Sequence, residues 1–188
     1  MNLHLSAGIT SPNGIVSAGP ELSLKYEWRP AHPLVLRTEL DFRLGSIGSR
    51  FFPGGSYRPS IYLTGNYQSM LTGLDLLYYR GTDRMTAYLG FGLVYAFNRF
   101  TPGEESLQEL HDEYGIDDLD MAQKLGYRVT LGLRFHRVYS FELAVMQLKP
   151  DIVAGRDYGS GVYSKQNFPT QFSGFRFTLG YIWQLRQW

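Results

Sequence analysis

The side chains of this chain that could do chemistry are mostly charges set two residues apart. Glu21, Lys25 and Glu27 alternate with Leu22, Leu24 and Tyr26, and Arg37, Glu39, Asp41 and Arg43 alternate with Leu36, Thr38, Leu40 and Phe42. Asp75, Arg128, Arg134, Glu142 and Arg176 stand in similar surroundings further on. A period of two puts all of them on one face of extended chain. Interleaved signs on such a face suit ion pairing, since burying any one of these groups alone would cost several kcal/mol.

Other reactive groups are few. Ser106 and His111 lie in one acidic segment and could be nucleophile and base, but nothing there fixes the geometry that a triad needs, so no catalytic residue is assigned. His4 and His136 fall on the charged face of their strands, and His32 lies in a short turn. Between Thr101 and Gln123 come Glu104, Glu105, Glu109, Asp112, Glu113, Asp117, Asp118 and Asp120 without a Lys or Arg until Lys124. Of these, Asp117, Asp118 and Asp120 are weak candidates for Ca²⁺. A solvated acidic loop is the preferred reading, because the glycine-punctuated spacing of a calcium loop is missing. Zero cysteines exclude disulfides and thiolate metal sites, no cofactor is called for, and a net charge of +1 gives no reason to expect nucleic acid.

These charges must be positioned by strands. In the final stretch Phe175, Phe177, Leu179, Tyr181, Trp183 and Leu185 share one face, and Arg176, Thr178, Gly180, Ile182 and Gln184 share the other. The same division predicts strands over 3–10, 21–29, 34–44, 70–79, 87–98, 126–136 and 141–145, while residues 59–67 could extend a loop or begin the fourth strand. A glycine-rich loop is expected from Gly45 to about Tyr57, a long acidic connection from Arg99 to Gln123, and a last loop from Lys149 to about Gln171. Within the acidic connection, the SLQELHDEY segment could form one or two helical turns with Leu107 and Leu110 on a face. Connections are short after the second, fourth and sixth strands and long after the first, third, fifth and seventh. Up-and-down neighbours then gather every short turn at one end.

Alternation alone does not say which face is enclosed. Volume does: an eight-stranded barrel has an interior only just wide enough for side chains, and the oily faces carry too many bulky residues to fit inside it. The opposite face mixes charges with Gly73, Gly90, Gly92, Gly126, Gly132 and Gly180, and glycine is useful where long side chains crowd a narrow lumen. A slightly negative mean hydropathy of −0.22 does not count against a membrane barrel, whose strands are apolar only at every second position. Aromatic content of 15% supplies its interfacial girdles. The expected fold is all-β: one domain over 1–188, an eight-stranded antiparallel up-and-down transmembrane β-barrel with short periplasmic turns and long extracellular loops. The twelve charges named above would form a paired network in the lumen. Met1 leads directly into a strand-like segment, so no signal peptide is read and the chain is expected to be the mature form.

The plan resembles the small eight-stranded outer-membrane family that includes the OmpA transmembrane domain, OmpX and OmpW, and related Bacteroidetes barrel domains. Thr178 to Leu185 looks like the C-terminal assembly signal of such proteins, with Gly180, Trp183, Leu185 and Trp188 as its candidate residues, although the chain runs on past Leu185. The resemblance implies a bacterial outer-membrane location, contact with membrane lipid and lipopolysaccharide, and insertion by the barrel-assembly machinery. The expected role is non-enzymatic: structural, or exerted through the extracellular loops in adhesion, partner binding or as an accessory subunit of an envelope complex. Loop aromatics Phe51, Phe52, Tyr57, Tyr158, Tyr163 and Phe168 could dock a protein or pack on one another. The alternative is an OmpW-like transport or access route for a small hydrophobic molecule; a lipid-modifying enzyme ranks below both.

Overall fold

The computed structural model describes residues 1–13, 17–31, 33–51, 61–82, 84–149, 151–157, 163–169 and 172–184. His32, Phe52, Tyr57, Tyr158, Leu185 and Trp188 lie outside the described residues. Eleven strands and one helix follow in order: β1 (Asn2–Asn13), β2 (Gly19–Ala31), β3 (Leu34–Phe51), β4 (Ile61–Gly81), β5 (Met85–Pro102), α1 (Glu104–Tyr114), β6 (Asp118–Met121), β7 (Lys124–Phe135), β8 (Tyr139–Leu148), β9 (Asp151–Asp157), β10 (Tyr163–Pro169) and β11 (Phe172–Gln184).

Eight of the strands close a barrel in the order β1-β11-β8-β7-β5-β4-β3-β2, every pair antiparallel. Closure is made by β1 on β11, with Leu5 opposite Tyr181 and Ile9 opposite Phe177. Closing the sheet leaves no unpaired edge, which is what allows a sheet to stand in lipid.

The oily face is outside. Leu22, Leu24, Phe42, Leu74, Leu89, Phe91, Leu131, Leu143 and Phe175 are all exposed, while Glu27, Arg37 and Asp41 are 0% exposed. In water that distribution would be unstable; in a bilayer it is the required one. At the short-turn end Trp28, Tyr78, Tyr139, Tyr181 and Trp183 face outward, and Tyr181 packs edge-on against both Tyr139 and Trp183, with ring centroids 5.9 and 4.8 Å apart. This is an aromatic girdle, which anchors a barrel at the interface. The chain is thus an eight-stranded bacterial outer-membrane β-barrel, with its short turns in the periplasm.

Several sequence expectations need correction. The stretch from Gly45 is not loop: β3 continues to Phe51, its alternation sustained by Ile47 packing inward, and β4 starts at Ile61 to pair with it. Small residues such as Gly45, Ser46 and Gly48 disguise a ladder held by backbone hydrogen bonds. The acidic connection is mostly structured, and α1 spans eleven residues, longer than one or two turns. The last loop contains the hairpin β9–β10, which with β6 makes a separate three-stranded sheet. His136 does not point into the lumen. It sits exposed in the β7–β8 turn, just past the end of β7 at Phe135.

Candidate functional site

The enclosed face of the barrel is where chemistry is concentrated. Glu21, Lys25, Glu27, Arg37, Glu39, Asp41, Arg43, Asp75, Arg128, Arg134, Glu142 and Arg176 are all buried there. Six are cations and six are anions, so the interior balances its own charge.

Nearest the periplasm, Tyr79 and Tyr88 stack with centroids 4.9 Å apart, and the Arg134 guanidinium lies 4.5 Å from the Tyr79 ring centre. Tyr79 donates to Glu27 Oε1 at 2.8 Å, Arg134 pairs with the same carboxylate, and His4 Nε2 lies 3.4 Å from Glu27 Oε2. In the middle, Glu142 accepts from Lys25 Nζ at 3.0 Å and Tyr88 at 2.9 Å, and also from Arg37 and Arg176. Asp75 holds Arg37 Nε at 2.8 Å and both donors of the Arg128 fork. Above these, Glu39 meets Arg128, Arg176 and Lys25, Asp41 meets Arg176 at 2.9 Å, and Glu21 meets Arg43 at 2.8 Å as well as Thr10. Charges so densely paired cross-brace six of the eight barrel strands; β1 joins them through His4 and Thr10, and β5 through Tyr88. Gly92 of β5 makes room for the network: a Cβ there would lie 1.8 Å from Asp75 Oδ1.

The lining then changes character. Arg43 Nη1 reaches Met146 Sδ at 3.6 Å, and above Met146 the interior is mainly apolar, with Leu71, Val94, Ala96 and Leu148 beside one polar cluster in which Tyr67 and Ser69 donate to Asn98 Oδ1 at 2.8 and 2.9 Å. This lining is continuous with the core of an extracellular cap. Ile47, Leu63 and Phe100 come from the tall ends of β3, β4 and β5, Leu110 and Tyr114 from α1, Leu119 and Met121 from β6, and Ile152 and Ala154 from β9. The helix is amphipathic: Ser106, Leu110 and Tyr114, four apart, are buried, while Glu105, Glu109, Asp112 and Glu113 face out. It ends where Gly115 takes a left-handed conformation (φ 61°) and donates to His111 O. Ser106 docks it on the barrel, its Oγ 3.0 Å from both Thr64 N and Thr64 Oγ1.

The wall is shorter at two seams. Between β2 and β3 pairing stops at Glu21 and Arg43, although β3 continues to Phe51 against β4. Pairing between β5 and β7 stops at Ala96 and Lys124, whereas β5 continues to Pro102 against β4 alone. The short β6 runs beside this gap, joined by Asn98 Nδ2 to Ala122 O at 3.0 Å.

The remaining sequence candidates are scattered. Ser106 and His111 are not brought together: the serine faces Thr64, and the exposed imidazole lies 2.7 Å from Asp117 Oδ1. Asp118 and Asp120 are exposed on β6, with Asp120 accepting from Met121 N at 2.7 Å. Among the described residues, the acidic groups close enough to share one ion are Glu21, Glu39 and Asp41, and arginines already meet all three. Gly180 sits between Ser6 and Ser140, and Trp183 faces outward opposite Leu3. The side chains of Phe51, Tyr163 and Phe168 lie outside the description. Tyr79 and Tyr88 belong to the network although charge patterning does not select them; their shared parity with Asp75 and Gly90 is the signal that could have.

No protein-family model matches the sequence, and among curated proteins none is significantly similar. Solved structures do match. OprG from Pseudomonas aeruginosa aligns with a TM-score of 0.67 at 14% identity, over 98% of this chain and 96% of that one. The Neisserial surface protein A, NspA, aligns at 0.56 and 10% identity, over 98% and 96%. The outer membrane enzyme PagL aligns at 0.50 and 14% identity, over 98% and 100%. At these identities what is shared is the fold.

Proposed function

We propose that this barrel gives a small hydrophobic molecule a route from the outside into the membrane, sideways through its wall rather than down its bore. The observation that carries this reading is the change of lining at Met146, from a charge-filled lower lumen to a mainly apolar upper one that holds no charge pair among the described residues. An apolar solute gains by leaving water for the upper region, and would have to displace paired charges to go lower. The charge network is therefore a floor. The seam above Ala96 and Lys124 is a low-cost exit, because no ladder hydrogen bonds between β5 and β7 remain there to be broken; the other short seam, between β2 and β3, is crossed by Ser17 N donating to Ser46 O at 2.8 Å. The resemblance of the sequence to OmpW-like barrels points the same way.

An enzymatic role has little support in this site, since Ser106 and His111 face in different directions. Action through the loops is a second reading, favoured by the exposed acidic face of α1, which suits lipopolysaccharide bridged by divalent cations or a basic partner protein. Insertion by the barrel-assembly machinery would use the closing strand, through Gly180, Trp183, Leu185 and Trp188.

Uptake and conductance separate these readings. Cells carrying the barrel should take up a hydrophobic probe such as an n-alkane faster than cells without it, and purified protein in planar bilayers should conduct ions weakly. Equal uptake with and without the barrel would remove the transport reading and leave the loop one.

A further inference from the structure

We infer that the molecule taken into the upper lumen is an amphiphile with a carboxylate head and a single apolar tail, and that Arg43 holds the head. This deepens the route proposed above and rests on it. Arg43 stands where the charged lining gives way to the apolar one, and it is held differently from the other buried arginines. Arg37, Arg128, Arg134 and Arg176 each hydrogen-bond at least one carboxylate. Arg43 Nε lies 2.8 Å from Glu21 Oε2, on a carboxylate that Arg176 and Thr10 also engage, but no hydrogen bond is aligned between them. Among the described residues, the hydrogen bond that this guanidinium does make runs from Nη1 to the Met146 thioether at 3.6 Å. Sulfur is a weak acceptor. The place where an oxygen would give Arg43 a strong bond is taken by an atom that gives it a weak one.

Met146 is suited to give way, because its unbranched side chain has three rotatable bonds. It belongs to the apolar cluster that includes Leu71, Val94 and Leu148, so a head replacing its sulfur at Arg43 has its tail among those residues. A carboxylate there exchanges a weak contact for a charge-assisted bond that the guanidinium fork can make with both oxygens. An alkane offers Arg43 nothing, and a cationic head is repelled by it. The interior of an eight-stranded barrel admits one small ligand at most, which limits the tail to a single chain.

A second feature of the same wall leads from Arg43 to the seam. In the ladder Arg43 pairs with Ser69 and Ser69 with Asn98, so these three stand side by side at one level of β3, β4 and β5. Ser69 is buried and donates to Asn98 Oδ1 at 2.9 Å, and Asn98 Nδ2 donates to Ala122 O at 3.0 Å across the gap where β5–β7 pairing has ended. The next inward residues on β4 and β5 are Leu71 and Ala96 below this row, and Phe100 above it on β5. Burying a polar head without partners is costly. A polar row across an otherwise apolar wall gives such a head partners all the way from Arg43 to the exit, which an alkane would not need.

The test compares decanoate with decanol, which share a tail and differ in the head. Radiolabelled ligand is bound to the full chain in phosphatidylcholine nanodiscs, with empty nanodiscs subtracting what the lipid takes up. Decanoate is expected to bind wild type and to bind Arg43→Gln about tenfold to a hundredfold more weakly, while decanol binds both alike. Ser69→Val interrupts the polar row and leaves the charge pairs in place; it should lower the decanoate-to-decanol affinity ratio severalfold, and it keeps the test informative if R43Q fails to fold. Failure of decanoate to bind wild type, or a ratio unchanged in every variant that folds, would overturn the proposal. Alkane uptake separates this from the route itself. Faster n-alkane uptake without Arg43-dependent decanoate binding removes the carboxylate and keeps the route, whereas equal n-alkane uptake with and without the barrel removes the route and this assignment with it.

Discussion

Arg128 grips Asp75 with two parallel bonds, Nε to Oδ1 at 2.9 Å and Nη2 to Oδ2 at 2.7 Å. The pair is buried at the centre of the barrel, with each residue about 1% exposed. Its geometry depends on what is absent beside it: a Cβ at Gly73 would lie 2.9 Å from Arg128 Nη2, and one at Gly92 would lie 1.8 Å from Asp75 Oδ1.

Gly92→Ala should therefore destabilise the barrel by about 1–3 kcal/mol, despite the usual gain on replacing a strand glycine. The new methyl also meets Leu74 O at 2.9 Å, so a side-chain rotation cannot relieve it. Gly48→Ala, whose nearest neighbour is the Tyr62 hydroxyl at 3.3 Å, should stay within about 0.5 kcal/mol. Urea unfolding in lipid vesicles compares the two. A Gly92→Ala protein as stable as wild type would mean that Asp75 does not occupy this position.

Removing one partner from the network should cost far more than removing a loop charge. Arg37→Ala leaves Glu142 and Asp75 short of a cation in a buried setting, for which about 3–5 kcal/mol is expected. Glu39→Ala should behave similarly, while Glu109→Ala, on the exposed face of α1, should change little. Thermal unfolding in detergent reads the difference, and comparable shifts for all three would contradict a paired interior.

The cap can be loosened without harming the barrel. Leu110 is 0% exposed, and Leu110→Ala should cost the cap about 2–5 kcal/mol. Limited proteolysis is expected to cut between residues 103 and 123 in the variant while the eight barrel strands stay protected. Protection of that segment equal to wild type would show that α1 is held by something other than this contact.

Sealing the seam tests the lateral route. Phe97 and Gln123 are the next pair beyond Ala96 and Lys124 in the β5–β7 register. A disulfide between Phe97→Cys and Gln123→Cys should slow uptake of the hydrophobic probe, and reductant should restore it. Uptake indifferent to the crosslink would place the passage elsewhere.

The strand faces were legible because side-chain direction is a local property: each residue along β3 from Leu34 to Leu44 follows from its neighbour. Where alternation was carried by Gly45, Ser46 and Gly48, that signal faded and a strand read as a loop, since backbone pairing with β4 leaves no mark on side-chain type. The helix was underestimated for a related reason. Leu110 and Tyr114 are apolar because of the sheet edge they cover, and that surface exists only once β4 and β5 stand above the barrel rim.

By itself the sequence determined that a closed sheet with one oily and one charged face would form, and that the charged face would be enclosed, because period and side-chain volume act over short distances along the chain. Which charge meets which was decided by closure. The ladder sets Glu27 opposite Arg37, yet Glu27 takes Arg134, 107 residues away, and Arg37 takes Glu142, 105 residues away. In a lumen this narrow, side chains from opposite walls come as close as neighbours on adjacent strands, and only the curvature of the finished barrel brings those walls together.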